Sequence, residues 1–90
     1  MSIESVVLYH HIEDRIVYIN SSVDVLLKLR TGEFKNKDIY SVKKWSPSIE
    51  FNYDVSKAYT CLLSHGFKLI SSTLNDGCNV EIWSREHKSL

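Results

Sequence analysis

The chain of 90 residues predicts one α+β domain, in which two helices pack on one face of an antiparallel sheet in the order ββαββαββ. Three observations predict this class. Short runs rich in β-branched and aromatic residues alternate with two stretches of helical spacing. Capping residues precede each helical stretch, and an Asn-Asp-Gly turn separates the last two extended runs. The short connections favour hairpins, and therefore an antiparallel sheet.

The first two strands are predicted at residues 3–10 and 15–19, which are rich in Val, Ile, Leu and Tyr. Glu13 and Asp14 interrupt the apolar pattern between them, so the two strands should form a hairpin. The serines that follow predict a helix, because Ser21 and Ser22 supply capping oxygens. Its apolar residues spread beyond one stripe. We expect the extra ones to serve the fold, with a subunit contact as the alternative.

The middle of the chain predicts a loop and two strands. Residues 31–38 are polar, with Phe34 as the single large apolar anchor. A strand over residues 38–45 would place Tyr40 and Val42 on one face. After the break around Pro47, residues 49–52 alternate apolar and polar, which is the pattern of a strand with one wet side.

The second helix has the strongest helical spacing in the chain. Asp54 is a good N-cap, and apolar residues follow at intervals of three and four positions. The helix should end before Gly66, since glycine adopts the left-handed C′ conformation without steric cost. The apolar positions are Val55, Ala58, Tyr59 and Leu62.

The last two strands form a hairpin around Asp76 and Gly77. This turn places Thr73 opposite Val80 and Ser71 opposite Ile82. The expected core face of the hairpin then carries Phe67, Leu69, Val80 and Ile82. Trp83 alternates with these residues, so we expect it to face away from the helices.

Composition excludes several classes of protein. Hydrophobic residues make up 43% of the chain, with only three Gly and one Pro, which contradicts disorder. The 11 basic and 11 acidic side chains cancel, so no net field attracts nucleic acid or an anionic membrane. No apolar run is long enough to span a bilayer, and no signal peptide is recognisable. Cys61 and Cys78 lack C-x-x-C spacing and fit reduced thiols, so a cytoplasmic protein is expected.

No catalytic residue and no cofactor site are predicted. His10 and His11 lie near acidic residues, but adjacent strand residues face opposite ways and cannot easily share a metal ion. Cys61 and Cys78 lack an activating context and are interpreted as structural thiols. P-loop, dinucleotide-binding, zinc-protease and nucleophile-elbow motifs are all absent from the sequence.

Aromatic residues are the predicted contacts to a subunit or a partner, because aromatics contribute much of the binding energy at interface centres. Core packing is the alternative for each of them. A basic stretch suggests a possible anionic-ligand site, with a solvated loop as the alternative. The interface candidates are Phe34, Tyr40, Trp45 and Trp83, and the anionic-ligand candidates are His10, Lys43 and Lys44.

The C-terminal half resembles the C-terminal domain of the potassium-channel-tetramerisation-domain (KCTD) proteins. The resemblance is carried by the strand at residues 48–52, the helix with Ala58, the Gly66-Phe67 start of a hairpin, and the ending at residues 81–86. The helix, the strand pair and the last-strand Trp also resemble the GTP cyclohydrolase I feedback regulatory protein family. Both families form pentameric rings and act by holding other proteins.

The resemblance implies a non-enzymatic regulatory or adaptor domain that assembles into a cyclic homo-oligomer, with a pentamer favoured, and binds a partner protein. The alternative is a protein that binds or sequesters a nucleotide or metabolite, such as a viral or phage inhibitor of host signalling. Clefts between subunits would then bind the ligand, lined by Tyr40, His10, Lys43 or Lys44.

Overall fold

The computed structural model describes residues 2–40, 47–52 and 54–87. These residues form a small α+β fold with a five-stranded sheet and two α-helices. The elements are β1 (Ser2–His11), β2 (Ile16–Asn20), α1 (Val23–Leu29), a 3-10 turn (Gly32–Phe34), β3 (Ser48–Glu50), α2 (Val55–Ser64), β4 (Lys68–Asn75) and β5 (Cys78–His87).

The sheet is antiparallel throughout, and its strands lie in the order β3-β2-β1-β5-β4. The predicted antiparallel sheet and the two helices are therefore confirmed. Between the helices the described residues contain one strand, where the sequence predicted two. The predicted strand at 38–45 extends beyond the described residues, and Tyr40 forms a single antiparallel bridge to Ser48. No helix among the described residues is long and apolar enough to cross a membrane.

Both predicted hairpins form. Asp76 and Gly77 have φ values of 50° and 75°, as a two-residue turn between twisted strands requires. The predicted register is also confirmed, with Thr73 opposite Val80 and Ser71 opposite Ile82.

The helix caps follow the sequence. The Ser22 side chain accepts a hydrogen bond from the Val25 amide at 3.4 Å, and Asp54 Oδ1 accepts one from the Lys57 amide at 3.1 Å. Helix α2 ends at Ser64, and Gly66 follows the C-cap residue His65 with φ 81°.

Two backbone hydrogen bonds close the end of α2. They run from the Gly66 amide to the Leu63 carbonyl and from the Phe67 amide to the Leu62 carbonyl, at 3.1 and 3.0 Å. This is the Schellman arrangement, which satisfies carbonyls that the helix leaves without a partner.

One core cluster contains the buried residues of both helices and every second residue of the central strands. Helix residues four positions apart lie on one face, and so does every second residue of a strand, so these residues meet in the core. Its members are Val6, Leu8, Val17, Ile19, Val25, Leu26, Leu29, Phe34, Ile49, Phe51, Ala58, Cys61, Leu62, Phe67 and Trp83.

The predicted orientation of β5 is wrong. Trp83 is 5% exposed and belongs to the core, whereas Ile82 is 41% exposed. Pairing with β1 is the physical reason, because Trp83 lies opposite buried Val6, whereas Ile82 lies opposite Val7 on the other face. A β-bulge between Leu69 and Ser71 then pairs Leu69 with Trp83 and Ser71 with Ile82. Leu69 and Ile82, which were expected to share a face, are thereby placed on opposite faces.

Phe34 also lies in the core, where its ring packs edge-to-face on Phe51 with centroids 5.7 Å apart. An exposed interface role for Phe34 and Trp83 is therefore not supported. The alternative interpretation, core packing, holds for both residues.

Candidate functional site

The candidate site lies on the sheet face that the core cluster does not use, which we call the outer face. Its side chains come from the strand residues that alternate with the core residues. Because directly opposed residues on neighbouring strands point to the same side, the strand registers arrange these side chains in rows. The central row crosses all five strands and contains Glu50, Tyr18, Tyr9, Val80 and Thr73. We call it the tyrosine row.

Two further rows flank the tyrosine row. On one side, the His11 ring meets the Tyr18 ring edge-on, with centroids 5.9 Å apart. On the other side, Asn20 Nδ2 donates a hydrogen bond of 2.9 Å to Ser48 Oγ. The first flanking row is Ile16, His11, Cys78 and Asn75, and the second is Ser48, Asn20, Val7, Ile82 and Ser71.

A groove with a volume of about 1020 Å³ runs over these rows. Tyr40 joins it because its amide and carbonyl both bond to Ser48 at 2.8 Å. Among the lining residues that the structure describes, Glu50 is the single carboxylate, and none is Lys or Arg. The lining residues are Tyr9, His11, Tyr18, Asn20, Tyr40, Ser48, Glu50, Asn75, Cys78 and Val80.

The Glu50 carboxylate forms no ion pair and no hydrogen bond with any residue that the structure describes. The Glu50 backbone carbonyl, by contrast, accepts a hydrogen bond of 2.9 Å from Lys37 Nζ. The same ammonium group lies 4.8 Å from the centre of the Phe51 ring.

Cys78 and His11 form a thiol–imidazole contact in the groove, with Sγ and Nε2 3.8 Å apart. No local pattern predicts this pair, because the two residues are 67 positions apart. No cluster of three metal-ligating side chains occurs in residues 2–40, 47–52 and 54–87. His10 lies opposite Val17 and Asn79, so its ring and that of His11 belong to opposite faces, as expected of strand neighbours.

Cys61 contrasts with Cys78. It is fully buried in α2, and its thiol points to the Leu29 carbonyl at 3.7 Å. Burial raises the pKa of Cys61 to about 11. Its interpretation as a structural thiol therefore agrees with the geometry.

Of the predicted site residues that the structure describes, Tyr40 alone is found in the groove, where it is 52% exposed. His10 lies on the other side of the sheet. Trp45, Lys43 and Lys44 lie outside the described residues.

Tyr9 and Tyr18 were missed by the sequence analysis, although a signal was available. They alternate with Leu8, Val17 and Ile19 along the first two strands. Because those three residues are buried in the core, both tyrosines must point to the outer face. Applying the period of two to the first hairpin would have placed both rings on the outer face.

Strand β4 forms one edge of the sheet and is exposed along its whole length. Three of its eight residues are large and apolar, and Leu74 is 68% exposed. An edge strand presents unpaired backbone groups to any chain that can add a further strand. The three apolar residues are Leu69, Ile70 and Leu74.

Comparison of the chain with protein-family models, with curated proteins and with solved structures gave no match. The resemblance to the KCTD and feedback regulatory families therefore stays a prediction.

Proposed function

We propose that this domain is a non-enzymatic adaptor that binds a partner protein through the outer face of its sheet. The observation that carries the proposal is the tyrosine row, which brings Tyr9 and Tyr18 together at the centre of a face with few charges. Interface centres are depleted of charge and enriched in tyrosine, and a polar rim surrounds them. The outer face has this arrangement, with Glu50 at one end of the tyrosine row.

The proposal includes a finer statement about the fold, namely that both helices cover one face of the sheet. The buried residues of α1 and α2 belong to the same cluster as Val6, Leu8, Val17 and Ile19. The residues that the structure describes then leave the opposite face uncovered. A small domain with such a face commonly covers it by association.

Site-specific photo-crosslinking in the cell of origin tests the proposal. A benzophenone amino acid at Tyr9 or Tyr18 should crosslink one partner protein, whereas the same group at exposed Lys57 on α2 should not. With that partner purified, Tyr9→Ala should weaken binding at least roughly tenfold, the range of interface hot spots, and Lys57→Ala should leave affinity unchanged. Equal crosslinking from Lys57, or full affinity of the Tyr9→Ala variant, would refute the proposal.

Assembly into a cyclic homo-oligomer is the second part of the proposal, and the β4 edge supports it. Light scattering at high micromolar concentration should show an oligomer, with five subunits as the expected number. Leu74→Lys should shift the mass toward the monomer, because a buried ammonium opposes strand addition. Leu63→Lys is the matched control, since Leu63 is 62% exposed on α2. A wild-type monomer at this concentration contradicts the ring.

A small-ligand binder is the second candidate function, and the size of the groove favours it. About 1020 Å³ is just above the roughly 300–1000 Å³ typical of ligand sites. Thermal shifts across a panel of nucleotides and metabolites test this candidate, because a ligand that binds only the folded state raises Tm. If no compound raises Tm, the candidate fails. An anionic ligand should also lose affinity in the double variant Lys43→Ala, Lys44→Ala.

A further inference from the structure

One end of the groove combines a carboxylate with aromatic rings. Glu50 lies directly opposite Tyr18, and Tyr18 lies directly opposite Tyr9. Tyr40 bonds to Ser48, two residues before Glu50 on the same strand. Three tyrosines and one acid therefore surround the end of the groove next to β3.

The described side chains at this end favour a cation. The Glu50 carboxylate is unpaired within the described residues, and the described lining residues include no Lys or Arg. Aromatic faces carry the negative part of a ring quadrupole and attract cations within about 6 Å of the ring centroid. The carboxylate and the aromatic rings therefore both favour a positively charged occupant.

We propose that the partner protein places an arginine side chain at this end, with its guanidinium on the Glu50 carboxylate and against the tyrosine rings. Guanidinium is planar, stacks on aromatic rings and bonds to carboxylate through two donors, which an ammonium group cannot do. This inference depends on the proposed partner-binding function.

The shape of the outer face favours an arginine that is part of a protein over a free organic cation. The tyrosine row continues across β5 to β4, where Val80 and Thr73 follow the two tyrosines. Ile82 extends the apolar surface in the next row. A free cation would fill only the Glu50 end, whereas a chain segment that carries an arginine also covers Val80 and Ile82.

NMR titration of the isotopically labelled domain with blocked pentapeptides tests the inference. Each peptide has glycines on both sides of one central residue. That residue is arginine in the first peptide, its neutral isostere citrulline in the second and glutamate in the third. The arginine peptide should shift the signals of Tyr18, Tyr9 and Glu50. The citrulline peptide should bind roughly fivefold to tenfold more weakly, as expected for the loss of one cation–π contact and one exposed ion pair.

Glu50→Gln should weaken binding of the arginine peptide, but by less than the change to citrulline does, because the cation–π contact with the tyrosine rings remains. Glu13→Gln is the matched control, because Glu13 is an exposed acid outside the groove, and it should leave the affinity unchanged. Equal binding of the arginine and citrulline peptides, preference for glutamate, or an equal loss in the control overturns the inference. If tetramethylammonium binds as tightly as the arginine peptide, the site does not prefer a protein arginine to a free organic cation, and that part of the inference is wrong.

Failure of this inference is distinguishable from failure of the proposed function. If Tyr9 crosslinks a partner and Glu50→Gln leaves the partner's affinity unchanged, the arginine inference is wrong while the adaptor function stands. If no partner crosslinks from Tyr9 or Tyr18, the adaptor function itself is wrong.

Discussion

The hydroxyl of Tyr59 donates a hydrogen bond of 2.7 Å to Oε2 of Glu81 and thereby joins α2 to β5. Glu81 is 4% exposed, and its carboxylate also accepts hydrogen bonds from Asn79 Nδ2 at 2.9 Å and Trp83 Nε1 at 3.0 Å. Three donors compensate the desolvation of this buried acid.

We expect Tyr59→Phe to lower the free energy of unfolding by about 1–2 kcal/mol, because it removes one of these donors and keeps the ring packed on Trp83. Urea denaturation followed by circular dichroism measures the change. Tyr9→Phe is the control, since it removes a hydroxyl from the outer face, and it should cost less than about 0.5 kcal/mol. If both variants lose the same free energy of unfolding, the hydrogen bond to Glu81 stabilises the fold no more than the Tyr9 hydroxyl does.

Glu81 also shows why sequence alone mispredicted the last strand. The hairpin register placed Val80 and Ile82 on one face with Phe67 and Leu69, so these apolar residues were assigned to the core and Glu81 was left on the other face. The carboxylate is buried because its donors come from another element and from its own strand, and Tyr59 is 22 positions away. No local pattern in the sequence encodes that partnership.

Local features were predictable where the chemistry is local. Ser22 and Asp54 cap their helices, Gly66 ends α2, and the turn at Asp76 sets the register of the last hairpin. The groove was not predictable in the same way, because it combines residues from β1, β2, β3, β4 and β5 with Tyr40. Its assembly depends on the strand order, which no single segment determines.

Gly66 should be sensitive to substitution even though there is free space around it. A Cβ built on Gly66 meets no heavy atom within 4 Å, so the expected cost comes from the backbone at φ 81° alone. We expect Gly66→Ala to lower the free energy of unfolding by about 1 kcal/mol. Gly66→Asn should cost less, because asparagine tolerates the left-handed region better. Urea denaturation of both variants checks this order, and equal stability of the wild type and Gly66→Ala would contradict it.

The two cysteines should differ in reactivity. Iodoacetamide under native conditions at about pH 8 should alkylate Cys78, which lines the groove, and should spare Cys61, which is buried with a raised pKa. His11 can accept the thiol proton as the S–C bond forms and iodide leaves. His11→Phe should therefore slow alkylation of Cys78 severalfold.

His10→Phe is the control for this effect, because His10 lies on the other side of the sheet. Mass spectrometry of digested samples measures labelling at each cysteine. Alkylation of Cys61 at the same rate as Cys78 would contradict the burial argument, and equal rates in the two histidine variants would exclude a role for His11.

Stability should fall at alkaline pH through Cys61 and Tyr59. Burial raises the pKa of Cys61 to about 11 from 9.0, and burial together with the Glu81 carboxylate raises the pKa of Tyr59 to about 12 from 10.0. Between these values the unfolded chain has released protons that the folded chain still holds, so unfolding becomes more favourable as pH rises. The loss should begin near pH 9 and continue to about pH 12.

Urea midpoints between pH 8 and the alkaline limit, in reducing buffer, measure this dependence. The double variant Cys61→Ala, Tyr59→Phe should lose stability less steeply with pH than the wild type, whatever its stability at pH 8. Ser56→Ala, which changes an exposed residue of α2 that does not titrate in this range, is the control and should keep the wild-type slope. If stability falls equally steeply with pH in all three proteins, Cys61 and Tyr59 are not the groups that cause the loss.

Glu4 should have the opposite pH dependence, because its pKa is lowered. The main cause is the hydrogen bond from Lys28 Nζ at 2.6 Å, and Arg85 Nε adds a second at 2.8 Å. A carboxylate with a lowered pKa stabilises the fold above its ordinary pKa of 4.5, and this contribution disappears as pH falls. Glu4→Gln should therefore cost roughly 0.5–1 kcal/mol at neutral pH and flatten the loss of stability below about pH 4.5.

Asp14→Asn is the control for Glu4, since Asp14 is exposed in the turn between β1 and β2. Urea denaturation at neutral and acidic pH compares the two variants. Arg85 also bonds to the His65 carbonyl at 2.7 Å and lies 4.7 Å from the centre of the Phe67 ring, so it links β5 to the end of α2. If Glu4→Gln loses stability below about pH 4.5 as steeply as the wild type, the pairing of Arg85 with Glu4 contributes nothing measurable. Arg85 is then held by its contacts with His65 and Phe67 alone.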